Sequence, residues 1–139
     1  MLKIKLSDDM TACLGIRHEV FVVEQCIAKE DEVDGMDPAA THLLAEQDGL
    51  AVGTARMLID GPTGKIGRVA VLKSHRGQGI GKALIEAAVA YLETIPTLKH
   101  AKLGAQTSAL NFYCDLGFKP VGDIFDDVGI PHQEMARRL

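Results

Sequence analysis

The part of the chain that most limits its fold runs from residue 65 to residue 94. It begins with KIGRVAVL (65–72), an apolar run that is typical of a buried strand. The hexapeptide RGQGIG (76–81) follows, in which three glycines occupy alternate positions. Apolar residues then recur at helical spacing, which predicts a helix over about 79–94 that stops before Pro96. Because a helix between two strands usually makes a right-handed crossover to a parallel neighbour, part of the sheet should be parallel.

The glycine-rich turn predicts an anion-binding site. The first turn of a helix presents unpaired N–H groups and the positive end of the helix dipole. Glycines at positions 77, 79 and 81 place no Cβ between those groups and a ligand, while Arg76 and Lys82 add positive charge beside them. This combination is best suited to a phosphate group.

Two common phosphate-binding motifs do not fit this turn. A Walker loop aligned on its lysine would have Arg76 in place of the first glycine and Ala83 in place of the hydroxyl residue that binds magnesium. A dinucleotide fingerprint that starts at the first of the three glycines has Lys82 at its third glycine position. One that starts at the second glycine fails at Leu84. Three predicted antiparallel strands also precede the turn, whereas the dinucleotide motif follows the first strand of a parallel unit.

Patterns along the whole chain predict an α+β fold with the order β-α-β-β-β-α-β-α-β-β. Strands are expected at 2–6, 41–47, 50–59, 65–72, 98–106, 118–129 and 132–139, the last two joined through GIP (129–131). Helices are expected over 8–24 and 79–94, with a short one capped by Thr107 or Ser108 and ended by Gly117. Short, turn-rich connections make the second, third and fourth strands an antiparallel meander. The central sheet is therefore expected to be mixed, mostly antiparallel and flanked by helices.

The first third of the chain combines a helix with an acidic segment. Ser7 is the expected cap of that helix, with Asp8 and Asp9 in its positive first turn. Residues 27–40, IAKEDEVDGMDPAA, are typical of a solvated loop. A calcium-binding register of this loop fails because its twelfth position is Thr41 rather than glutamate. No metal is expected.

Composition and charge narrow the class of protein. The 139 residues fit one domain, 1–139. A net charge of −4 and a pI near 5.7 argue against general nucleic-acid binding, which needs a basic face. The polar N-terminus and the lack of any apolar run of about 20 residues predict neither a signal peptide nor a membrane span, so a cytoplasmic location is expected. Cys13, Cys26 and Cys114 form no C-x-x-C pair and are expected to be reduced.

Several segments together resemble a known family. VAVLKSHRGQGIGKALI (69–85) closely resembles the acetyl-coenzyme A signature of the GNAT N-acetyltransferase superfamily, and NFYCDLGF (111–118) resembles its second motif. RHEVFVVEQ (17–25), the later DGMD (34–37) and GIPHQEM (129–135) are similar to the ElaA/YjcF-like branch. The predicted order of elements also matches this family over nearly the whole chain.

The resemblance implies acetyl-coenzyme A as the co-substrate. In this family, backbone amides of the glycine turn hold the coenzyme A pyrophosphate, and the preceding strand pairs with the pantetheine arm. One N–H of that strand also polarises the thioester carbonyl, as in an oxyanion hole. Carried onto this sequence, the binding set is Val69, Ala70, Val71, Arg76, Gly77, Gln78, Gly79, Ile80, Gly81, Lys82 and Asn111.

The same resemblance implies direct attack of an amine on the thioester. Tyr113 matches the tyrosine that commonly faces the coenzyme sulfur, so it is the expected general acid. The general base is left open among Glu32, Asp34, His42 and His132, acting directly or through ordered water. Related enzymes often carry an acidic residue on the central strand, where this chain has Arg68.

The leading hypothesis is an acetyl-CoA-dependent N-acetyltransferase that acts on the primary amine of a small molecule or peptide. A module that binds coenzyme A or acyl-CoA without turnover, as a sensor or scaffold, is an alternative, and a nucleotide-binding protein is another. Neither nucleic acid nor a membrane is an expected partner. A homodimer is compatible with the resemblance, because dimers are common among similar proteins. The acidic loop carries one more hypothesis, that its charge draws a cationic amine to the acceptor site.

Overall fold

The computed structural model describes residues 1–139, which form a seven-stranded sheet and four α-helices. The strands are β1 (Leu2–Leu6), β2 (Thr41–Gln47), β3 (Leu50–Asp60), β4 (Thr63–Val71), β5 (His100–Gln106), β6 (Lys119–Asp127) and β7 (Ile130–Arg138). The helices are α1 (Met10–Arg17), α2 (Lys29–Glu32), α3 (Ile80–Glu93) and α4 (Leu110–Asp115). The predicted order of elements is confirmed, with α2 as an additional short helix.

The sheet has the order β1-β2-β3-β4-β5-β7-β6 and is antiparallel except between β4 and β5. The predicted meander of β2, β3 and β4 is confirmed. The parallel pair is short, since only Thr63–Lys65 of β4 pairs with His100–Lys102 of β5. Beyond these residues the two strands diverge and leave a cleft in the middle of the sheet.

Helices cover both faces of the sheet. On one face, α3 packs on a core of 18 buried residues, whereas α1 covers a smaller core of five on the other. The approach of α3 to β4 is close at Gly64, where a Cβ atom would lie 2.6 Å from a methyl carbon of Leu92. Glycine at this position therefore lets α3 lie against the strand that precedes it. None of the helices has the length and apolar character that crossing a bilayer requires.

The first helix differs from its prediction at both ends. Its cap is Asp9, whose carboxylate accepts a hydrogen bond from the Ala12 N–H at 3.1 Å, while Ser7 accepts one from the Asp9 N–H. The predicted cap at Ser7 was therefore wrong by two residues. After α1 the chain continues as a π-helical segment, His18–Glu24, in which each turn takes up more residues than an α-helix.

Two predicted turns near the C-terminus have different outcomes. Gly117, with φ of +91°, ends α4, and the Phe118 N–H donates to the Tyr113 carbonyl, so this predicted C-cap is confirmed. The predicted turn through GIP is wrong, because Val128 and Gly129 turn the chain and Pro131 belongs to β7. Pro131 lies beyond the end of β5, so its missing N–H costs no hydrogen bond with that strand.

The short helix α4 also begins differently from the prediction. Thr107 and Ser108 lie in a 3₁₀ turn, Thr107–Ala109, and neither side chain caps α4. The turn follows β5 directly and brings the chain across the open end of the cleft.

Candidate active site

A cavity of about 360 Å³ lies where β4 and β5 diverge. Its walls come from both strands, the end of the first helical segment, the acidic loop, α4 and the turn between β6 and β7. It brings together Tyr113, His132 and Glu32, three residues for which the sequence predicts a catalytic role. Arg68 and Val69 of β4 line the same cavity.

A β-bulge bends β4 beside this cavity. Thr54 of β3 pairs with Ala70 and Arg56 pairs with Gly67, so β4 contains one extra residue, and Arg68 has a φ of +50°. The bulge re-aims the strand at the point where it leaves β5. It lies directly before Val69, the first of the predicted pantetheine-binding residues.

The backbone N–H groups of Val69, Ala70 and Val71 point alternately to the two sides of β4. The Leu72 N–H donates to the Val52 carbonyl at 2.9 Å, so the backbone groups of Leu72 face β3. Because neighbouring residues of a strand point their N–H groups to opposite sides, Ala70 also faces β3, whereas Val69 and Val71 face the cleft. Of the three predicted backbone contacts, only those of Val69 and Val71 are therefore turned towards a ligand in the cleft.

The glycine turn has the conformation that its sequence suggests. Gly77 and Gly79 have φ angles of +78° and +81°, a region that residues with a side chain rarely adopt. Gly79 is the N-cap of α3 and supplies no side-chain acceptor for the first N–H groups of the helix, which leaves them available to an anion. Ile80 is only 2% exposed, so its side chain belongs to the core and only its backbone can contact a ligand. Gln78 and Lys82 are exposed beside the turn.

Arg76 has a partner that the sequence did not predict. Its guanidinium makes a bidentate ion pair with Glu24, at 2.5 and 2.6 Å, and its Nε–H donates to the Val71 carbonyl at 3.0 Å. The hydrogen bonds from Arg76 hold the pKa of the Glu24 carboxyl below its usual range. Glu24 lies 52 residues earlier, so no spacing rule could have indicated the contact.

Tyr113 lies on α4 with its ring between two phenylalanines. The ring meets Phe112 and Phe118 edge-on, with centroid distances of 5.0 and 6.2 Å. Burial raises the pKa of Tyr113 to about 12. The phenol therefore stays protonated at neutral pH and can donate a hydrogen bond to a negative charge in the cavity. Asn111 is exposed on the same helix and does not line the cavity, so its predicted contact with coenzyme A stays a prediction.

His132 has one defined tautomer. Its Nδ1 lies 2.7 Å from the Ile130 carbonyl oxygen, which can only accept, so Nδ1 carries the proton. A neutral ring then keeps its lone pair on Nε2, and the ring stacks on Phe125 with a centroid distance of 5.9 Å. A buried imidazole with an available lone pair beside the cavity has the form of a general base.

A comparison with protein families identifies the fold. The family model described as Acetyltransferase (GNAT) domain matches residues 7–139. The chain belongs to the GNAT acetyltransferase family. It is therefore an enzyme of the acyltransferase class, and its sheet with one short parallel pair is the GNAT fold.

Individual relatives agree with this assignment. The GNAT chain is 35% identical over 137 residues to the uncharacterized N-acetyltransferase YjcF of Bacillus subtilis, with 96% of this chain and 95% of that protein covered. The crystal structure of ElaA from Escherichia coli superposes with a TM-score of 0.88 at 33% identity over 99% of both chains. A GNAT acetyltransferase from Elizabethkingia anophelis, solved with acetyl-CoA bound, has a TM-score of 0.76 at 18% identity and covers 99% of this chain and 98% of its own. The ElaA/YjcF-like branch is thus the correct one.

The acidic loop of this GNAT protein is exposed along most of its length, as predicted, but three of its acidic side chains are paired with arginines. Arg17 is 1% exposed and pairs with Glu32 and, at 2.7 Å, with Asp37. Arg56 pairs with both carboxylate oxygens of Asp34, at 2.5 and 2.9 Å, and with Asp37 at 3.1 Å. These ion pairs fix the loop as a wall of the cavity. They also neutralise most of the charge that would have attracted a cationic amine.

The contacts of three of the four candidates argue against a role as the general base. Glu32 is 4% exposed and accepts a hydrogen bond from Arg17, and Asp34 is bound to Arg56, so each carboxylate already neutralises an arginine. His42 is buried in β2, where its Nε2 lies 3.1 Å from the Asp37 carbonyl, and it does not line the cavity. Of the two candidates that line the cavity, Glu32 and His132, only His132 forms no ion pair.

Proposed function

We propose that this protein is an acetyl-CoA-dependent N-acetyltransferase that moves the acetyl group to a primary amine of a small molecule or peptide. The observation that carries the proposal is one line of cleft-facing backbone N–H groups along β4 and into α3. The open N–H groups of the α3 N-terminus lie at one end of this line, and the cleft-facing amides of Val71 and Val69 continue it to the cavity.

Coenzyme A suits this line of groups in charge and in hydrogen bonding. The pyrophosphate would occupy the turn of Gly77 and Gly79, where helix N–H groups favour an anion. The pantetheine arm would pair with Val71 and Val69 as a strand pairs with its neighbour. The thioester would then lie in the cavity with Tyr113 and His132. The Elizabethkingia protein, which shares the fold, was solved with acetyl-CoA bound.

The chemistry follows from the groups in the cavity. An alkyl ammonium has a pKa of about 10 and must lose a proton before it can attack. Nε2 of His132 accepts that proton, and the amine nitrogen forms a bond to the thioester carbon. The Val69 N–H stabilises the developing oxyanion, and the carbon–sulfur bond breaks. Tyr113 gives its proton to the departing thiolate, so coenzyme A leaves as the free thiol. The acylated nitrogen loses its second proton, which restores the phenol of Tyr113.

Release of free thiol tests the proposal directly. Protein, acetyl-CoA and a panel of primary amines should yield thiol at a rate well above the hydrolysis background. His132→Asn keeps an N–H for the Ile130 carbonyl but has no lone pair to accept the proton. We expect it to lower kcat about a hundredfold while coenzyme A binds as before.

The alternatives predict other outcomes of the same experiments. Binding of coenzyme A without thiol release from any amine would support the non-catalytic module. Stabilisation by ATP or NAD but not by coenzyme A, measured as a shift of Tm, would support a nucleotide-binding protein. A His132→Asn variant with the activity of the wild type would remove His132 from the mechanism.

A further inference from the structure

The three arginines that meet the acidic loop are not equally satisfied. Arg17 and Arg56 are 1% and 6% exposed, and the carboxylates of Glu32, Asp34 and Asp37 already pair with them. Arg68 is 26% exposed, and its contacts with carboxylates are long, at 3.3 Å to Asp34 and 3.9 Å to Glu32.

The remaining contacts of Arg68 are with neutral groups. Its Nε–H and Nη2–H donate to the Glu32 carbonyl at 3.3 and 3.2 Å, and Nη2–H reaches the Asp31 carbonyl at 3.5 Å. Its Nη1 makes no hydrogen bond, in contrast to the Nη1 atoms of Arg17 and Arg56. Arg68 is therefore a partly desolvated cation whose counter-charges are already engaged by other arginines.

The pKa values agree with this difference. Burial opposes the charge of Arg17 and Arg56, yet the hydrogen bonds from their carboxylate partners leave both pKa values raised. For Arg68, burial and then the neighbouring Arg56 lower the pKa. An added anion at Arg68 would therefore relieve an electrostatic cost that the fold leaves uncompensated.

The position of Arg68 gives this cation access to the acceptor. It lies on the bulge of β4, directly before Val69, and lines the same cavity as Tyr113 and His132. A group bound by its guanidinium would lie in the cavity that Tyr113 and His132 also line. Asp31 and Asp127, which line the cavity as well, are exposed and can attract the ammonium end of the same molecule.

We propose that Arg68 binds a carboxylate of the acceptor, so that the acceptor is an amino acid or a similar molecule with a carboxylate near its amine. This inference rests on the proposed N-acetyltransferase function. A planar guanidinium matches a carboxylate through two parallel hydrogen bonds. A phosphate dianion is a poorer match, because Arg68 is the only arginine or lysine in the lining and two aspartates stand nearby.

Matched pairs of acceptors test the inference. Each pair consists of an amino acid and its primary amide, for example leucine and leucinamide. Because the amide also lowers the pKa of the α-ammonium, the rates are compared per concentration of free amine. We expect kcat/KM, measured by thiol release, to favour the amino acid by roughly tenfold to a hundredfold. Arg68→Gln should remove this preference by raising KM for the amino acids, and Arg68→Lys should recover part of it. Arg138→Gln makes the same change at an exposed arginine and should alter nothing.

The outcomes separate a binding role from a structural one. If Arg68 only held the loop in place, Arg68→Gln would slow amino acids and amides alike, and the inference would be overturned. Equal use of both members of each pair by the wild type would overturn it without any variant.

A failure of the proposed function is distinguishable from a failure of this inference. If no amine releases thiol, the binding of leucine and leucinamide to the coenzyme A-loaded protein is measured by the shift in Tm. A shift with leucine alone, lost in Arg68→Gln, supports the carboxylate site, and no shift with leucine overturns it.

Discussion

The two sides of the cavity are built in different ways. The donor side, which we propose to bind coenzyme A from Val69 to the start of α3, presents backbone groups whose direction follows from a bulge and two glycines with positive φ. The acceptor side, which we propose to border the amine, is a loop with little regular structure, held by ion pairs between Arg17, Arg56 and the acidic residues. The first side is encoded in one continuous stretch of sequence, whereas the second exists only when distant parts of the chain have met.

The largest effect, on the free energy of unfolding, is expected when Arg17, which holds the acidic loop, is replaced. Arg17→Met leaves the buried carboxylate of Glu32 without its partner, which should lower the free energy of unfolding by about 3–5 kcal/mol. Urea denaturation monitored by circular dichroism measures it. Arg138→Met is the matched control at an exposed position. A loss below about 1 kcal/mol would mean that the network contributes little to folding.

The next effect is expected at Tyr113, on α4 beside the cavity. Tyr113→Phe removes only the hydroxyl, so kcat should fall about a hundredfold while the Kd for coenzyme A stays within about twofold. Steady-state kinetics and calorimetric titration measure the two quantities. Tyr91→Phe, at the other tyrosine of the chain, is the control. Lost coenzyme A affinity with intact kcat would assign Tyr113 a structural role instead.

Lowering the pH should weaken the ion pairs that hold the acidic loop and so destabilise the protein. Hydrogen bonds from Arg56 lower the pKa of Asp34, and Asp37, despite its burial, has a lowered pKa because of Arg17 and Arg56. A lowered pKa in the folded state stabilises the protein above the unfolded-state pKa of about 3.9, and this stabilisation is lost as pH falls further.

Asp34→Asn isolates this contribution. The difference in unfolding free energy between wild type and Asp34→Asn should be about 1–2 kcal/mol at pH 6 and shrink towards pH 2. Thermal denaturation across this range measures it, with Asp123→Asn, an exposed aspartate, as the control. A difference that does not change with pH would show that the carboxylate charge is not what holds the loop.

A smaller effect is expected when the turn of the donor side is changed. Gly79→Ala places a side chain at a φ of +81°, which costs about 1 kcal/mol and disturbs the amides that face the ligand. The Kd for coenzyme A should rise roughly tenfold, measured by calorimetry. Gly15→Ala, at a helical glycine whose added Cβ would meet no atom within 4 Å, should leave it unchanged. Unaltered affinity in Gly79→Ala would argue against the turn as the pyrophosphate site.

The smallest effect is expected at the ion pair between Glu24 and Arg76. Glu24 occupies Arg76 in the free protein, so Glu24→Gln should release the guanidinium for the pyrophosphate and tighten coenzyme A binding about two- to fivefold. The gain should decrease with added salt. Glu19→Gln, on the same π-helical segment, is the control. Weaker binding in Glu24→Gln would mean that Glu24 positions Arg76 rather than competing for it.

This comparison also explains how far the sequence could predict the structure. The strand, turn and helix around Gly77 and Gly79 follow from local patterns, and they were predicted to within two residues. The pairs Arg17–Glu32 and Arg56–Asp34 join residues 15 and 22 positions apart on different elements, which no local period relates. The composition of the acidic segment therefore could not show that Glu32, Asp34 and Asp37 are paired with arginines.

The missed hairpin has a separate cause. Val128 adopts a φ of +49°, which is rare for a β-branched residue, whereas GIP has the composition of a typical turn. The earlier position of the turn matters for the candidate active site, because it places His132 within β7 rather than at its first residue. Its orientation towards the cavity, and its hydrogen bond to Ile130, depend on that placement.

The short pairing of β4 with β5 has a consequence for the rigidity of the molecule. Within the sheet, only three residue pairs join the four-stranded half, β1–β4, to the three-stranded half, β5–β7. The sheet is therefore expected to be least rigid at this boundary. A pantetheine arm bound along Val69 and Val71 would bridge it as an additional strand. Amide protons on both sides of this boundary should then exchange more slowly with deuterium when coenzyme A is bound. The donor would thereby act as a structural part of the sheet during each catalytic cycle, and its departure would loosen the fold at the point where the next acceptor enters.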